Sequence, residues 1–521
     1  MEVEEFQRWI HGSVFQPVVV VIGTARCSEI VKKNTGLSLS ELFAPFCGQE
    51  RPVPVSYNCL DKSMAIPNPI FRFVEAQNCE VVDAEKLQTD INNVLQRNAP
   101  RIDEPVQCPP YPWFDAWFDR VASSLQWSEG ECLDQPFSII MMTSSCDGDP
   151  LPIFEQLSHE SNMPSLCRRG FLEMNVSKVH VLVHDNSEPD APDKTAVAAH
   201  YQSMQSAFSP ASCYALNLNR PDAGPPGPPP SPPERYNPSI YALRSKNGQE
   251  VGNICVNLTS KDVEELEGLA ADVIAQGAFP WMETKIKEMD AHITAHRKGI
   301  GNRFKRMWGT KDAAASSKAG YNLSTMEGQL RAAGDLAFHM RDYVLALSYY
   351  RTAITDFKSV NQMKSVAGCY EMSGICSFLA GQARSEWFRF MESAYEHYQK
   401  CGEGYWATRC TVICARMDRA RGKEVALRCM RLSNDFPELP ARSALFLEQA
   451  SRHYIEDGCK RKAIFHLVLA GHTFNKCSLK RYALRCYSGV LPYHKDGNWI
   501  HIKDHLHFTM GRQAFGLGLL D

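Results

Sequence analysis

Pro17-Val18-Val19-Val20-Val21-Ile22-Gly23 is the stretch that decides how the first part of the chain folds. A continuous apolar run of this length, opened by proline and stopped by glycine, is the pattern of a strand covered on both faces. Similar runs recur at Phe137 to Met142, Val179 to Val183 and Tyr214 to Leu218, with helical patterns such as Ala84 to Gln96 and Trp113 to Leu125 between them. Strands alternating with helices point to a parallel sheet with helices on both sides. Residues 1–220 therefore read as one α/β domain.

A buried strand at the start of such a domain invites comparison with GTPases, in which a phosphate loop would follow Gly23. That loop needs Gly-x-x-x-x-Gly-Lys-Ser/Thr, whose amides and lysine hold the phosphates. Counted from Gly23, the required positions hold Ser28, Glu29 and Ile30, so a carboxylate stands in place of the cation. The run at Val179 to Val183 is followed by His184-Asp185-Asn186-Ser187, which is not the Asn-Lys-x-Asp that reads guanine. The expectation is a degenerate, GTPase-like domain with a parallel sheet, no phosphate loop, no catalytic residues and no cofactor. A divergent nucleotide-binding α/β enzyme with a helical-repeat interaction domain is the alternative.

Other chemistry is weakly signalled. Gly299-x-Gly301 and Gly516-x-Gly518 lack the preceding strand and third glycine of a dinucleotide site, and no Gly-x-Ser-x-Gly elbow occurs. His501 and His505, with His507 and His494 nearby, have a metal-ligand spacing but no glutamate or cysteine at a matching offset, so no metal is expected.

Beyond the α/β domain, residues 221–250 begin with Pro221-Asp222-Ala223-Gly224-Pro225-Pro226-Gly227-Pro228-Pro229-Pro230-Ser231-Pro232-Pro233, which favours extended polyproline geometry and reads as a linker. Residues 251–320 carry helical patterning. Thr259 and Ser260 have the chemistry of an N-cap, with Asp262, Glu264 and Glu265 in the first turn, where negative charge suits the helix dipole. Two long helices are expected, broken near Gly277 to Pro280 and ending near residue 311. From residue 321 to 521 the pattern is helical only. Gly334-Asp335-Leu336-Ala337-Phe338, Asp342-Tyr343, Ala346-Leu347, Tyr349-Tyr350 and Ala353 resemble a tetratricopeptide unit, with weaker echoes at Tyr395 to Tyr398, Ala444 to Tyr454 and Tyr482 to Tyr487. This part reads as an α-solenoid of stacked helix pairs.

Between linker and solenoid lies Arg297-Lys298-Gly299-Ile300-Gly301-Asn302-Arg303-Phe304-Lys305-Arg306-Met307-Trp308-Gly309-Thr310-Lys311. At about 100° per residue, Ile300, Phe304, Met307 and Trp308 share one arc, while Arg303, Lys305 and Arg306 lie outside it. Six cations and no anion occupy these fifteen residues, the composition of a helix that lies in a membrane interface. Burying each large apolar side chain is worth roughly 1.5–3 kcal/mol, and each cation near an anionic leaflet adds about 1. Gly299 and Gly301 each oppose helix by about 1 kcal/mol, so the expected attachment is reversible. An ordinary helix packing its apolar face on the solenoid would show the same pattern.

The 521 residues are 44% hydrophobic and 22% charged, which places the chain among globular proteins. The net charge of -3 argues against a polycation working on nucleic acid. That average hides a split: residues 1–250 carry 19 basic and 31 acidic residues, residues 251–521 carry 37 and 28. Different partners are expected for the two halves. Nineteen cysteines are scattered without a Cys-x-x-Cys pair, and the N-terminus is acidic, so reduced thiols and a cytosolic setting are expected.

Ala441 to Ala450, Lys462 to His466, Leu469 to His472, Tyr482 to Tyr487, Trp499 and Asp504 to Gln513 together resemble the subunit 8 family of the transport protein particle (TRAPP) complexes. Leu39 to Phe43, Pro45-Phe46 and Leu258 to Trp308 extend the similarity. The resemblance implies a non-catalytic subunit of the TRAPPIII assembly, whose shared core promotes nucleotide exchange on an early-secretory Rab GTPase. It also implies other TRAPP subunits as partners, and a cytoplasmic location, peripheral on Golgi, endoplasmic reticulum (ER)-derived and pre-autophagosomal membranes. A membrane-binding amphipathic helix is a family feature, at Ile300, Phe304, Met307 and Trp308 here. Family chains run further, so the sequence is expected to be an N-terminal portion or a short form.

Overall fold

The computed structural model describes residues 3–46, 66, 69–79, 92–99, 114, 117–118, 128–219, 258, 260–298, 321–496 and 500–519. The chain divides into two compact units, Gln7–Val81 with Trp127–Asp356, and Met1–Phe6 with Val82–Gln126 and Phe357–Asp521. The proline-rich stretch expected as a linker lies outside the described residues.

The first unit holds β1 (Val18–Gly23), β2 (Arg72–Glu75), β3 (Pro136–Ser144), β4 (Ser177–Asp185) and β5 (Cys213–Leu218). Their order is β2-β1-β3-β4-β5 and every neighbouring pair is parallel. All nine residues of β3 are buried, as expected of a strand with helices over both faces. On one face Val18, Val20, Ile139, Met141 and Leu182 pack with Phe154 and Met204, from helices α3 (Pro150–Leu157) and α4 (Lys194–Ala207). β2 escaped the sequence reading because its two apolar residues, Phe73 and Val74, are flanked by Arg72 and Glu75.

Among the described residues between β1 and β2 are the α-helices α1 (Ala25–Thr35) and α2 (Leu39–Phe43). α1 ends at Gly36, whose φ of 70° is the left-handed cap that glycine adopts freely. Ser38 and Glu41 then start α2 with a reciprocal capping box.

Later in the same unit come α5 (Ser260–Asp272) and α6 (Phe279–Lys298). No break separates them at Gly277 to Pro280, contrary to expectation, because Val273–Ala278 winds as a π-helix. The Phe279 N–H reaches back five residues to the Ile274 carbonyl, and Pro280, which has no N–H, enters the next turn at little cost. Gly277 is needed for close approach, since a Cβ there would lie 2.9 Å from Ser177 Oγ at the start of β4.

α7 (Met326–His339) and α8 (Tyr343–Ser359) form the first tetratricopeptide-like pair. A Cβ on Gly334 would fall 2.6 Å from the Tyr350 ring, so glycine is what lets the helices touch. Asp335, fully buried, ties α7 to the sheet unit: it accepts from Arg331 Nε at 2.9 Å, Tyr350 Oη at 2.7 Å and the Cys132 N–H at 2.7 Å.

The second unit is helical through its described residues. α9 (Met363–Leu379), α10 (Arg384–Lys400), α11 (Gly404–Met417), α12 (Gly422–Asp435), α13 (Pro440–Glu456), α14 (Lys460–Lys476), α15 (Lys480–Val490) and α16 (Ile500–Gly516) each pack on the next in sequence. Left-handed residues Gly381, Gly402, Gly458 and Ser478 turn the chain after α9, α10, α13 and α14. The Gly334–Tyr350 contact is repeated by Gly471 and Tyr487, again 2.6 Å to the ring and sixteen residues apart. Buried Glu371 accepts from Arg409 and Tyr398 much as Asp335 does from Arg331 and Tyr350. The chain is thus an α/β sheet domain followed by an α-solenoid.

Residues 92–99 and Phe114, Trp117 and Phe118 belong to this helical unit although they lie between β2 and β3 in sequence. Tyr482 Oη donates to the Leu95 carbonyl at 2.7 Å, and Phe114 and Trp117 meet Phe446 edge-on.

Candidate functional site

In a doubly wound sheet, ligands bind beyond the carboxyl ends of the strands where the strand order reverses. Here that point lies between β1 and β3. β1 ends at Gly23 and α1 begins at Ala25, so a single residue, Thr24, joins strand to helix. A phosphate cradle needs several successive amides in a loop, and this connection is a single residue long. The Cys27 N–H is capped by Thr24 Oγ1 at 3.1 Å, and the Ser28 N–H bonds the Thr24 carbonyl. The Thr24 N–H is given to the Met142 carbonyl at 3.1 Å, and a Cβ on Gly23 would stand 2.4 Å from Leu39.

The group in the crevice is a carboxylate. Asp147 Oδ2 accepts from Thr24 Oγ1 at 2.6 Å, Thr143 Oγ1 at 3.1 Å and the Ser144 N–H at 2.9 Å. It thereby bridges the ends of β1 and β3, and its negative charge lies where an anion would have to enter. Sequence reasoning placed Glu29 in this role, but Glu29 is exposed on α1. The signal for Asp147 was present in Ser144-Ser145-Cys146-Asp147, a Ser three residues before an acid in the manner of a capping box.

At the end of β4, Asp185 is fully buried. It accepts from Ser187 N and Oγ at 2.8 Å, and from Asn219 and Asn34 Nδ2 at 2.7 Å. Burial pushes its carboxyl up, but these donors outweigh it and hold the group below the usual carboxylate range. Asn219 adopts φ 51° to make its bond. Such an aspartate has no free face to offer a base. Beside it, His184 Nδ1 shares a 2.8 Å hydrogen bond with Ser145 Oγ, and burial lowers its pKa. On the rim, Arg26 pairs with Glu188 at 2.8 Å and Asp190 at 3.0 Å, and Lys33 with Glu188 at 2.6 Å.

Ile300, Arg303, Phe304, Lys305, Arg306, Met307 and Trp308 lie outside the described residues. Arg297, just before them, is bonded to the buried Asp356 at 2.5 Å. No helix among the described residues is long and apolar enough to cross a membrane. Exposed His505 has its ring 5.9 Å from His472, which shares a hydrogen bond with Tyr487. Among the described residues no three His, Cys, Asp or Glu side chains are placed to hold a metal.

An α/β domain with its own carboxylate across the ends of β1 and β3, followed by an α-solenoid, defines the class of protein. The chain matches the model of the TRAPPC-Trs85 family, described as the ER-Golgi trafficking TRAPP I complex 85 kDa subunit, over residues 12–422. It belongs to that family. It is also similar to human trafficking protein particle complex subunit 8, being 26% identical over 507 residues, which covers 79% of this chain and 35% of the human one. The chain thus spans about a third of the length of that relative. The blocks at Ala441 to Gln513 that carry the resemblance in sequence lie beyond the family match.

Proposed function

We propose that this chain is a non-catalytic scaffold and membrane-tethering subunit of a TRAPPIII complex, supporting Rab GTPase activation in ER-to-Golgi vesicle transport and in autophagy. Its partners would be the small-subunit core of the complex and a membrane surface, with the Rab engaged indirectly, and its place would be cytoplasmic and peripheral on Golgi, ER-derived and pre-autophagosomal membranes. The observation that carries this is the family match across residues 12–422. A pseudo-GTPase role for the sheet domain is supported by Asp147, which takes three hydrogen bonds where a phosphate would need donors. Membrane contact is assigned to Ile300, Phe304, Met307 and Trp308, with Arg303, Lys305 and Arg306 facing anionic headgroups.

Liposome flotation tests the tether. Phe304→Glu with Trp308→Glu should abolish flotation on anionic vesicles without loss of folding; equal flotation of mutant and parent would remove the membrane assignment. Isothermal titration with GTP tests the domain, and micromolar binding would favour the nucleotide-binding alternative.

A further inference from the structure

We infer that a cleft in the solenoid formed by α11, α12 and α13 is a docking site for an acidic peptide of a partner protein, one that sets a carboxylate beside an apolar side chain. The inference rests on the scaffold reading and deepens it by giving that scaffold a contact site. The cleft has a volume of about 190 Å³. Val412, Cys429, Phe446 and Phe114 give it an apolar lining, and Arg416, Arg419 and Arg452 line it as well. Three arginines lining one small cleft favour an occupant that brings negative charge, and the planar fork of a guanidinium matches carboxylates well.

A second feature points the same way. Gln449 also lines the cleft, is only 4% exposed, and its Nε2 has no hydrogen-bond partner. A buried amide donor left unpaired costs free energy that a bound acceptor would recover. The cleft therefore presents donors, and the matching ligand is rich in acceptors. Glu456 meets this wall, accepting from Arg452 Nε at 3.2 Å and pairing with His453 Nδ1 at 3.1 Å. It leaves Arg419, exposed in the turn before α12, and the Gln449 amide to the incoming group. The mixed lining favours a peptide over a bare anion, because a free phosphate makes no use of Phe446 and Val412. The volume suits one or two side chains rather than a cofactor.

The test is selection of a displayed random heptapeptide library on the full chain, followed by fluorescence anisotropy with the selected peptides. Peptides that place Asp or Glu next to an aromatic or aliphatic residue should be enriched. Arg419→Glu, a change at an exposed position, should weaken them at least tenfold. Gln449→Leu should weaken them similarly while leaving the melting temperature unchanged or higher, since it removes an unpaired donor. Enrichment of basic or uncharged peptides would overturn the inference, as would peptides that bind both variants as well as the parent. Displacement by millimolar inorganic phosphate of peptides whose apolar residue can be replaced by glycine without loss would also overturn it, in favour of a small-anion site. Vesicle flotation of the same variants should be unchanged, so that failure of the cleft and failure of the scaffold's membrane role are told apart.

Discussion

Asp147 is the residue that most constrains what the sheet domain can do. Removing it in Asp147→Ala leaves Thr24, Thr143 and the Ser144 N–H without their shared acceptor, at a cost of about 1–3 kcal/mol. Urea denaturation should read that loss. The same variant should gain no GTP binding, because no lysine replaces the missing cation and Thr24 still caps α1. Sequence reading set a carboxylate at this point, at Glu29; the structure sets a different one against Thr24. Counting along a motif locates Glu29, whereas hydrogen bonding across strands, which no spacing rule encodes, brings Asp147 to Thr24 from 123 positions away.

At the scale of elements, the helix pairs of the solenoid depend on small residues set against aromatics. Gly471→Ala would drive a methyl to 2.6 Å from the Tyr487 ring and should destabilise the chain by about 1–3 kcal/mol. Tyr487→Leu in the same chain should restore part of that loss, and a double-mutant cycle in urea measures the coupling. The first pair was legible in sequence from the pattern running from Gly334 to Ala353, whereas the spacing shared by Gly334–Tyr350 and Gly471–Tyr487 emerges only in the structure. The four strong strands were legible because a parallel sheet demands unbroken apolar runs. β2, with two apolar residues, was not, and neither was the π-turn at Val273–Ala278, since glycine and proline together usually end a helix. The turn sets Gly277 so close to Ser177 that a Cβ there would lie 2.9 Å from its hydroxyl, a tertiary contact that no local propensity encodes.

The whole molecule carries a pH dependence that is set by burial. His180 and His339 are both in the sheet unit, and burial pushes both down to about 4, while His11 in the same unit is lowered well below its usual value for the same reason. Their unfolded counterparts titrate near about 6.5. The folded state therefore binds fewer protons, so stability is fully present above that value and is lost as pH falls towards 4. Each pH unit in that window costs roughly 1.4 kcal/mol per imidazole. Asp335, whose carboxyl burial pushes upward, works in the opposite direction. Thermal denaturation followed from pH 7 to pH 5 should show a falling midpoint, and a flat profile would mean these imidazoles are solvated.

Membership of a trafficking family underlies the proposal that the chain works by holding partners. Recovering it from cells at its native level, and identifying by mass spectrometry what comes with it, tests that most directly. TRAPP small subunits should accompany it in near-stoichiometric amount. A chain recovered without them, or carrying a bound nucleotide in equal amount, would contradict the scaffold assignment.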